Sequence, residues 1–276
     1  MKTDWDAAAF AQRIRELTVR MVSRSGSSHV GSALSLADIV AVLYAEIAHV
    51  DPRDPGLPER DRVILSKGHA CSIIYAALAA RGFIAEEELD EYAQPGSRLL
   101  AHISHRVPGV EFSTGSLGHG LPFGVGKANA ARLSAQPWHT FVLLGDGEMD
   151  EGSNWESLLF AAHARLSNLT AVIDANNLQS LTTVGETLGL EPLPDKLRAF
   201  GADVVEGDGH DLEFLREALR PAADAQRFDR GPRVVIARTI KGKGVSYMEN
   251  SVAWHYKSPN PQELDQALAE IGGGRA

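Results

Sequence analysis

The sequence predicts an α/β fold in which helices cover both faces of a parallel sheet. Short strand-like runs at 62–66, 140–145, 169–174, 202–206 and 233–239 alternate with segments of helical periodicity. Strands that alternate with helices pair in parallel and are buried on both sides. The runs also end in a consistent way. His69, Asp146, Asn176 and Lys241 each fall just past the end of one of them. In open α/β sheets the ligand lies beyond the carboxyl ends of the strands, so these residues are the first candidates for a site.

Taken in order, residues 5–23 carry apolar side chains at helical spacing and predict an opening helix. The small-residue loop Ser25-Gly26-Ser27-Ser28-His29-Val30-Gly31-Ser32 lets backbone approach a ligand closely. A second helix is expected over 36–48, and the proline-bearing stretch 51–61 reads as a surface connection. Helices are expected at about 70–81 and 85–92, followed by a Gly/Pro/His-rich loop over 94–117. Residues 118–133, rich in Gly and Ala, predict a closely packed helix. Gly118, Gly120, Gly124 and Gly126 do not form a dinucleotide loop, because their spacing is wrong and no clean strand precedes them. Helices at about 152–165, 193–200 and 211–222 complete the alternation. With no internal repeat and no linker, residues 1–276 read as one domain with a C-terminal extension from about 245.

Composition narrows the function. The chain has 276 residues, 27 basic and 36 acidic, for a net charge of -9. That balance argues against nucleic acid and against an anionic membrane surface as partners. No apolar run approaches the ~20 residues that span a bilayer, and the N-terminus lacks the layout of a secretory signal. The single cysteine, Cys71, excludes an internal disulfide framework and a cysteine zinc site. A reducing, cytoplasmic setting is the expectation.

Asp146 and Asn176 are the pair that points to chemistry. Each emerges just past an apolar run, with a helical segment between them. Gly-Asp-Gly or Asn-Asn alone reads as a turn. Two oxygen-bearing side chains at the ends of neighbouring strands suit a hard cation held beside a diphosphate. Mg²⁺ takes oxygen ligands in an octahedron and shares them with phosphate and water. Ca²⁺ and Mn²⁺ accept the same ligand type. A backbone carbonyl near Leu178 could supply a third oxygen. Gly147 opens the following helix, where free N–H groups favour phosphate, and Glu148 belongs to the same turn.

This segment resembles the thiamin-diphosphate motif, which begins Gly-Asp-Gly and ends in Asn about thirty residues later. The rest of the chain resembles transketolase in its amino-terminal, diphosphate-binding third. The matching pieces are SGSSHVGSALSLADIV (25–40), LSKGHACSIIYA (65–76), PGVEFSTGSLGHGLPFGVGKA (108–128), GDGHD (207–211) and TIKGKGVSYMEN (239–250). They stand in family order and cover nearly the whole chain. The resemblance implies a thiamin-diphosphate-binding fold, with thiamin diphosphate and Mg²⁺ as cofactors. It further implies transfer of a two-carbon ketol unit from a ketose or ketose phosphate to an aldose.

The resemblance also assigns roles. His29 matches a histidine that contacts substrate hydroxyls, His69 one near the diphosphate and substrate, and His255 a late histidine beside both. Imidazole suits such work because it exchanges protons near neutral pH. Transketolases carry Gly-His-Pro and an acidic residue eight positions before a Gly-Val-Glu. Here Gly109-Val110-Glu111 begins seven positions after His102 and four after His105. His102 is the better match and His105 the fallback. The missing proline and acidic residue allow a specialised sugar. Gly115 and Leu117 match positions that meet the aminopyrimidine, and Glu151 matches a carboxylate linking paired cofactor sites. Lys241 is the better phosphate-side candidate and Lys243 the weaker. His119 reads as structural.

A full-length transketolase also carries a pyrimidine-binding half, and no segment here resembles it. The expectation is a split enzyme completed by a C-terminal transketolase subunit, in an α2β2 assembly, acting on sugars or sugar phosphates. The alternatives are another thiamin subunit (a 2-oxo-acid dehydrogenase α chain or a 1-deoxyxylulose-5-phosphate synthase-like fragment) or a non-catalytic subunit for assembly or regulation.

Overall fold

The computed structural model describes residues 5–222 and 228–273. The chain opens with α1 (Ala7–Ser25), α2 (Val30–Leu34) and α3 (Ala37–Val42). It continues through β1 (Arg62–Leu65), α4 (Cys71–Ala80) and α5 (Gly120–Leu133). Then follow β2 (Thr140–Gly145), α6 (Gly152–His163), β3 (Leu169–Ala175), α7 (Val184–Thr187) and α8 (Leu193–Ala199). The chain ends with β4 (Asp203–Asp208), α9 (Leu212–Leu219), β5 (Arg233–Arg238) and α10 (Pro261–Gly272). The five strands form one sheet in the order β1-β2-β3-β5-β4, and every pairing is parallel.

Alternation along the strands fixes the layers. In β2, Phe141 and Leu143 enter one apolar cluster while Val142 and Leu144 enter the other. In β5, Val235 and Ala237 go one way and Val234 and Ile236 the other. Adjacent residues of a strand point to opposite faces, so a strand apolar at every position must be covered twice. The first face packs on α1, α3, α4 and α9; the second on α5, α6 and α8. Gly124 brings α5 close to the sheet, since a Cβ there would meet Val142 Cγ2 at 2.4 Å. That is the close packing expected of this helix.

α1 is bounded as its sequence suggests. Asp6 Oδ1 accepts from Ala9 N at 2.9 Å, and Gly26 closes the helix at φ +63°. A left-handed residue with glycine's freedom is the common way to end a helix. Phe10, Ile14, Leu17 and Met21 form its buried stripe.

Several boundaries differ from the sequence expectation. The expected helix over 36–48 is α3 continued by a π-helical turn, Leu43–Ile47. The segment Glu86–Glu91 is 3-10 helix, with only Leu89 buried to anchor it. α5 begins at Gly120, because Gly118 takes the left-handed φ of +77° that no right-handed helix accommodates. Helix α10 has no counterpart among the expected elements. Its start is nonetheless a capping box, with Glu263 N donating to Asn260 Oδ1 and Asn260 N to Glu263 Oε2, both at 2.9 Å. Ala267 and Ile271 of α10 join the cluster around α1. Among the described residues no helix is long and apolar enough to cross a membrane.

Candidate active site

A cavity of ≈ 150 Å³ opens beyond the carboxyl ends of β1, β2 and β3, lined by Lys67, His69, Leu117, Asp146, Glu148, Asn176, Leu178 and His255 among others. Parallel pairing places Leu65 beside Leu143 and Gly145 beside Asp174, so the turns after those strands converge. This is the strand-end crevice where α/β sheets bind ligands.

Its floor is a buried charge network. Asp174, the penultimate residue of β3, is fully buried and ion-paired with Lys67 Nζ. It also accepts from Ser35 Oγ at 2.5 Å, from Thr239 Oγ1, and from Asn176 Nδ2 at 3.3 Å. Burial alone would raise its pKa; the adjacent Lys67 charge and the ammonium and hydroxyl donors overcome that and hold it below the usual carboxylate range. Lys67 Nζ also donates to Ser32 O at 3.1 Å.

Asp146 sits above this network in the opposite electrostatic condition. Burial, and then the Asp174 charge, push its pKa up to about 6 against the backbone N–H donors of Asn177 and Gly147. Those bonds are 2.5 Å to Oδ2 and 2.8 Å to Oδ1. Among the described residues Asp146 forms no ion pair, and its buried charge is met by backbone N–H groups. Asn176 Oδ1 accepts from Leu178 N at 3.1 Å. The Leu178 carbonyl accepts from Lys241 Nζ at 3.2 Å and the Gln179 carbonyl at 3.1 Å. A positive group thus already rests on the carbonyl expected to face a cation, and a carbonyl oxygen has a second lone pair. No group of three or more His, Cys, Asp or Glu residues that could hold a metal occurs among the described residues. One carboxylate, one amide and one carbonyl suit a hard cation that completes its shell from phosphate and water.

Glu148 ties the cavity wall together. Its Oε1 accepts from Ser66 Oγ at 2.5 Å and Gly118 N at 2.9 Å, and its Oε2 from Gly145 N at 3.3 Å. Its side chain is therefore spent on protein, joining the 115–119 loop to the Gly-Asp-Gly turn.

Four histidines gather over the opening. The ring of His29 lies 5.0 Å from that of His69, 5.0 Å from His255 and 5.9 Å from His102; His69 and His255 are 5.7 Å apart. His29 adopts φ +74° at the start of α2 and donates its N–H to His255 O at 2.8 Å. Left-handed geometry outside glycine is uncommon and clusters at functional sites. Burial, then the charges of His102 and Lys241, lower the His29 pKa to about 4. Burial, then Lys241, lower that of His255 to about 3. His69 is held well below its ordinary value by burial and by Lys67. All three are neutral at pH 7. Lys241, buried beside Lys67, falls to about 8, and its Nζ is 3.0 Å from His255 Nδ1.

Of the residues expected from sequence, His29, His69, His102, Leu117, Asp146, Gly147, Glu148, Asn176, Leu178, Lys241 and His255 come together here. Gly115 is exposed next to His102. Glu151 is exposed at the start of α6 and outside the cavity lining. His105 turns aside to Ser113 Oγ at 2.6 Å, and His119 Nδ1 bonds Leu117 O at 2.9 Å. Sequence reasoning does not single out Ser35, Lys67, Asp174, Thr239 or Gln179. A lone aspartate inside the apolar run Leu169-Thr170-Ala171-Val172-Ile173-Asp174-Ala175 is the available signal, because a buried charge needs a partner.

Residues 6–273 match the family described as transketolase, thiamine diphosphate binding domain. This chain belongs to the transketolase family. It is 38% identical over 261 residues to an apulose-4-phosphate transketolase subunit from Phocaeicola vulgatus, covering 95% of this chain and 92% of the relative. It is 40% identical over 262 residues to the 6-deoxy-6-sulfo-D-fructose transketolase subunit SqwG of a Clostridium species, covering 95% and 94%. The transketolase of Campylobacter jejuni superposes with a TM-score of 0.89 at 30% identity, over 96% of this chain and 42% of that one. The chain thus spans nearly all of the subunit-length transketolases it matches and about two fifths of the longer ones. It is a transketolase subunit carrying the thiamin-diphosphate-binding domain.

Proposed function

We propose that this subunit transfers two-carbon ketol units from a ketose, or ketose phosphate, to an aldose once a second chain supplies the pyrimidine-binding half of the site. The observation that carries the reading is the gathering of neutral His29, His69 and His255, with His102, above a floor built from Asp146 and Asn176. Asp146 and Asn176 side-chain oxygens and the Leu178 carbonyl would hold Mg²⁺, or Ca²⁺ or Mn²⁺ in its place. Gly147 N–H and Lys241 would face the diphosphate, with Gly115 and Leu117 toward the aminopyrimidine. When bound, thiamin diphosphate supplies a nucleophilic thiazolium carbon and an electron sink for carbon–carbon cleavage.

The chain's own residues bind, orient and handle protons. Neutral imidazoles at His29 and His69 can each accept a hydroxyl proton at one nitrogen and donate from the other, while His255, whose Nδ1 accepts from the Lys241 ammonium, donates from Nε2. Their burial keeps them in that state. His102, exposed at the rim, would hold distal sugar hydroxyls. The relatives named for apulose 4-phosphate and 6-deoxy-6-sulfofructose, together with the altered 102–106 segment, favour a specialised donor. An α2β2 assembly in a reducing cytoplasm is in keeping with the subunit length of the relatives and with one buried cysteine.

The test mixes the purified chain with a candidate partner, thiamin diphosphate and Mg²⁺, and screens ketose donors against aldose acceptors. Ketol transfer that needs both chains is the expected result. Decarboxylation of pyruvate with no ketol transfer from any ketose would overturn the reading.

A further inference from the structure

The segment Gly207-Asp208-Gly209-His210-Asp211 lies outside the cavity, yet every residue in it has a structural assignment. A Cβ on Gly207 would strike the Phe214 ring at 2.5 Å, and one on Gly209 would strike Thr239 Cγ2 at 2.4 Å. Asp208 Oδ1 accepts from His210 N at 2.8 Å, and Asp211 Oδ1 caps α9 through Glu213 N at 2.9 Å. These contacts aim one side chain, the imidazole of His210, at the end of β5.

Both ring nitrogens of His210 are committed. Ile240 N donates to Nε2 at 2.9 Å. Because Ile240 supplies the proton, Nε2 must be the bare nitrogen, and Nδ1–H therefore donates to Asp38 Oδ2 at 2.7 Å. Asp38 is in turn gripped by Arg15, with NH1 to Oδ1 at 3.0 Å and NH2 to Oδ2 at 2.5 Å. Burial would raise the Asp38 pKa, but the Arg15 charge and the His210 bond bring it down to about 2, so the acceptor stays ionised. The chain Arg15–Asp38–His210 thus ends on the backbone amide directly before Lys241.

We propose that His210 is a positioning residue that fixes the backbone beneath Lys241 and so delivers its ammonium to the cofactor side of the cavity. The proposal rests on the reading of Lys241 as a diphosphate-side group. Lysine reaches its charge through a flexible four-carbon stem, so its aim depends on how firmly its backbone is held. Other bonds hold this stretch as well: Thr239 N to Ala175 O at 3.3 Å and Thr239 Oγ1 to Asp174 before it, Asn250 N to the Lys241 carbonyl at 2.9 Å, and Gly242 N to Gly31 O at 3.0 Å after it. None of them takes the Ile240 amide, the N–H directly before Lys241. His210 holds that one, and it does so with a side chain.

The experiment measures the thiamin diphosphate Kd, at fixed Mg²⁺, on the two-chain assembly with wild-type subunit, His210→Met, His210→Gln, Lys241→Ala and the double variant His210→Met/Lys241→Ala. Methionine fills the space without a strong acceptor, while glutamine restores an oxygen acceptor near Nε2. Loss of one such bond predicts a roughly two- to tenfold weaker Kd for His210→Met. His210→Gln should recover most of that, and His210→Met should add nothing in the Lys241→Ala background. An unchanged Kd for His210→Met while Lys241→Ala binds weakly overturns the inference and leaves the Lys241 reading standing. Additive losses in the double variant overturn it too, since they mean His210 acts on the fold at large. If Lys241→Ala itself binds normally, the Lys241 reading falls and this inference with it. Should His210→Met fail to fold, hydrogen exchange at the Ile240 amide of the wild-type assembly decides: a slow, protected amide supports the pin, and a fast one removes it.

Discussion

The floor and the roof of the cavity are built on opposite plans. The floor is closed: Asp174, Lys67, Thr239 and Asn176 at strand ends and Ser35 between α2 and α3 satisfy one another, and Asp174 is fully buried. The roof is four histidine rings on loops and helix starts, with His29 in ring contact with the other three and His102 exposed. Strand ends fix positions by sheet register, which loops cannot do. The floor therefore suits groups common to every turnover, the diphosphate and cation. The roof suits the sugar, which differs among relatives named for different ketoses.

The largest way to break this contrast is to open the floor. Lys67→Met leaves Asp174 buried beside an apolar chain, and removing one partner of a buried pair costs about 3–5 kcal/mol. Urea unfolding of the subunit should register that loss; a change below ~1 kcal/mol would mean Asp174 finds another partner. Next in size is Asp146→Ala in the two-chain assembly. It should weaken Mg²⁺-dependent thiamin diphosphate binding at least as much as the roughly 100-fold that losing an outer-shell partner can cost. Intact binding would remove Asp146 from the cation site.

The two regions also carry opposite pH signs. The fold lowers His29 and His255 to about 4 and about 3 from the ordinary 6.5. Their contribution is complete above pH 6.5 and is lost as pH falls through 4 to 3. Asp146 is raised from 3.8 to about 6, so its contribution is present below 3.8 and lost as pH rises through 6. A cation on Asp146 removes only the second effect. The thermal shift produced by Mg²⁺ and thiamin diphosphate should therefore grow as pH rises through about 6. A shift that is flat across this range would show that Asp146 does not meet the cation.

Legibility in the sequence divides along the same line. The strands, their parallel pairing and the Asp146–Asn176 pair can be read, because apolar runs followed by Gly-Asp-Gly and Asn-Asn have few other meanings together. The histidine positions are also readable, from motif order. The Lys67–Asp174 pair is not, because register alone brings the end of β1 to the end of β3 through β2. Nor is the reach of His210, which meets Asp38 across 172 positions of chain. Helix α10 escapes the pattern of alternating elements although its Asn260-Pro261 start and Glu263 form a capping box.

The most direct test of a cofactor floor under a sugar roof is His102→Ala in the reconstituted enzyme, read two ways. Calorimetric titration gives the thiamin diphosphate Kd, and steady-state kinetics give KM for the ketose donor. The division predicts a Kd within about twofold of wild type and a KM raised roughly tenfold, the size of one lost hydrogen bond to a positioned substrate. A Kd that weakens in step with KM would contradict it, placing His102 in the floor.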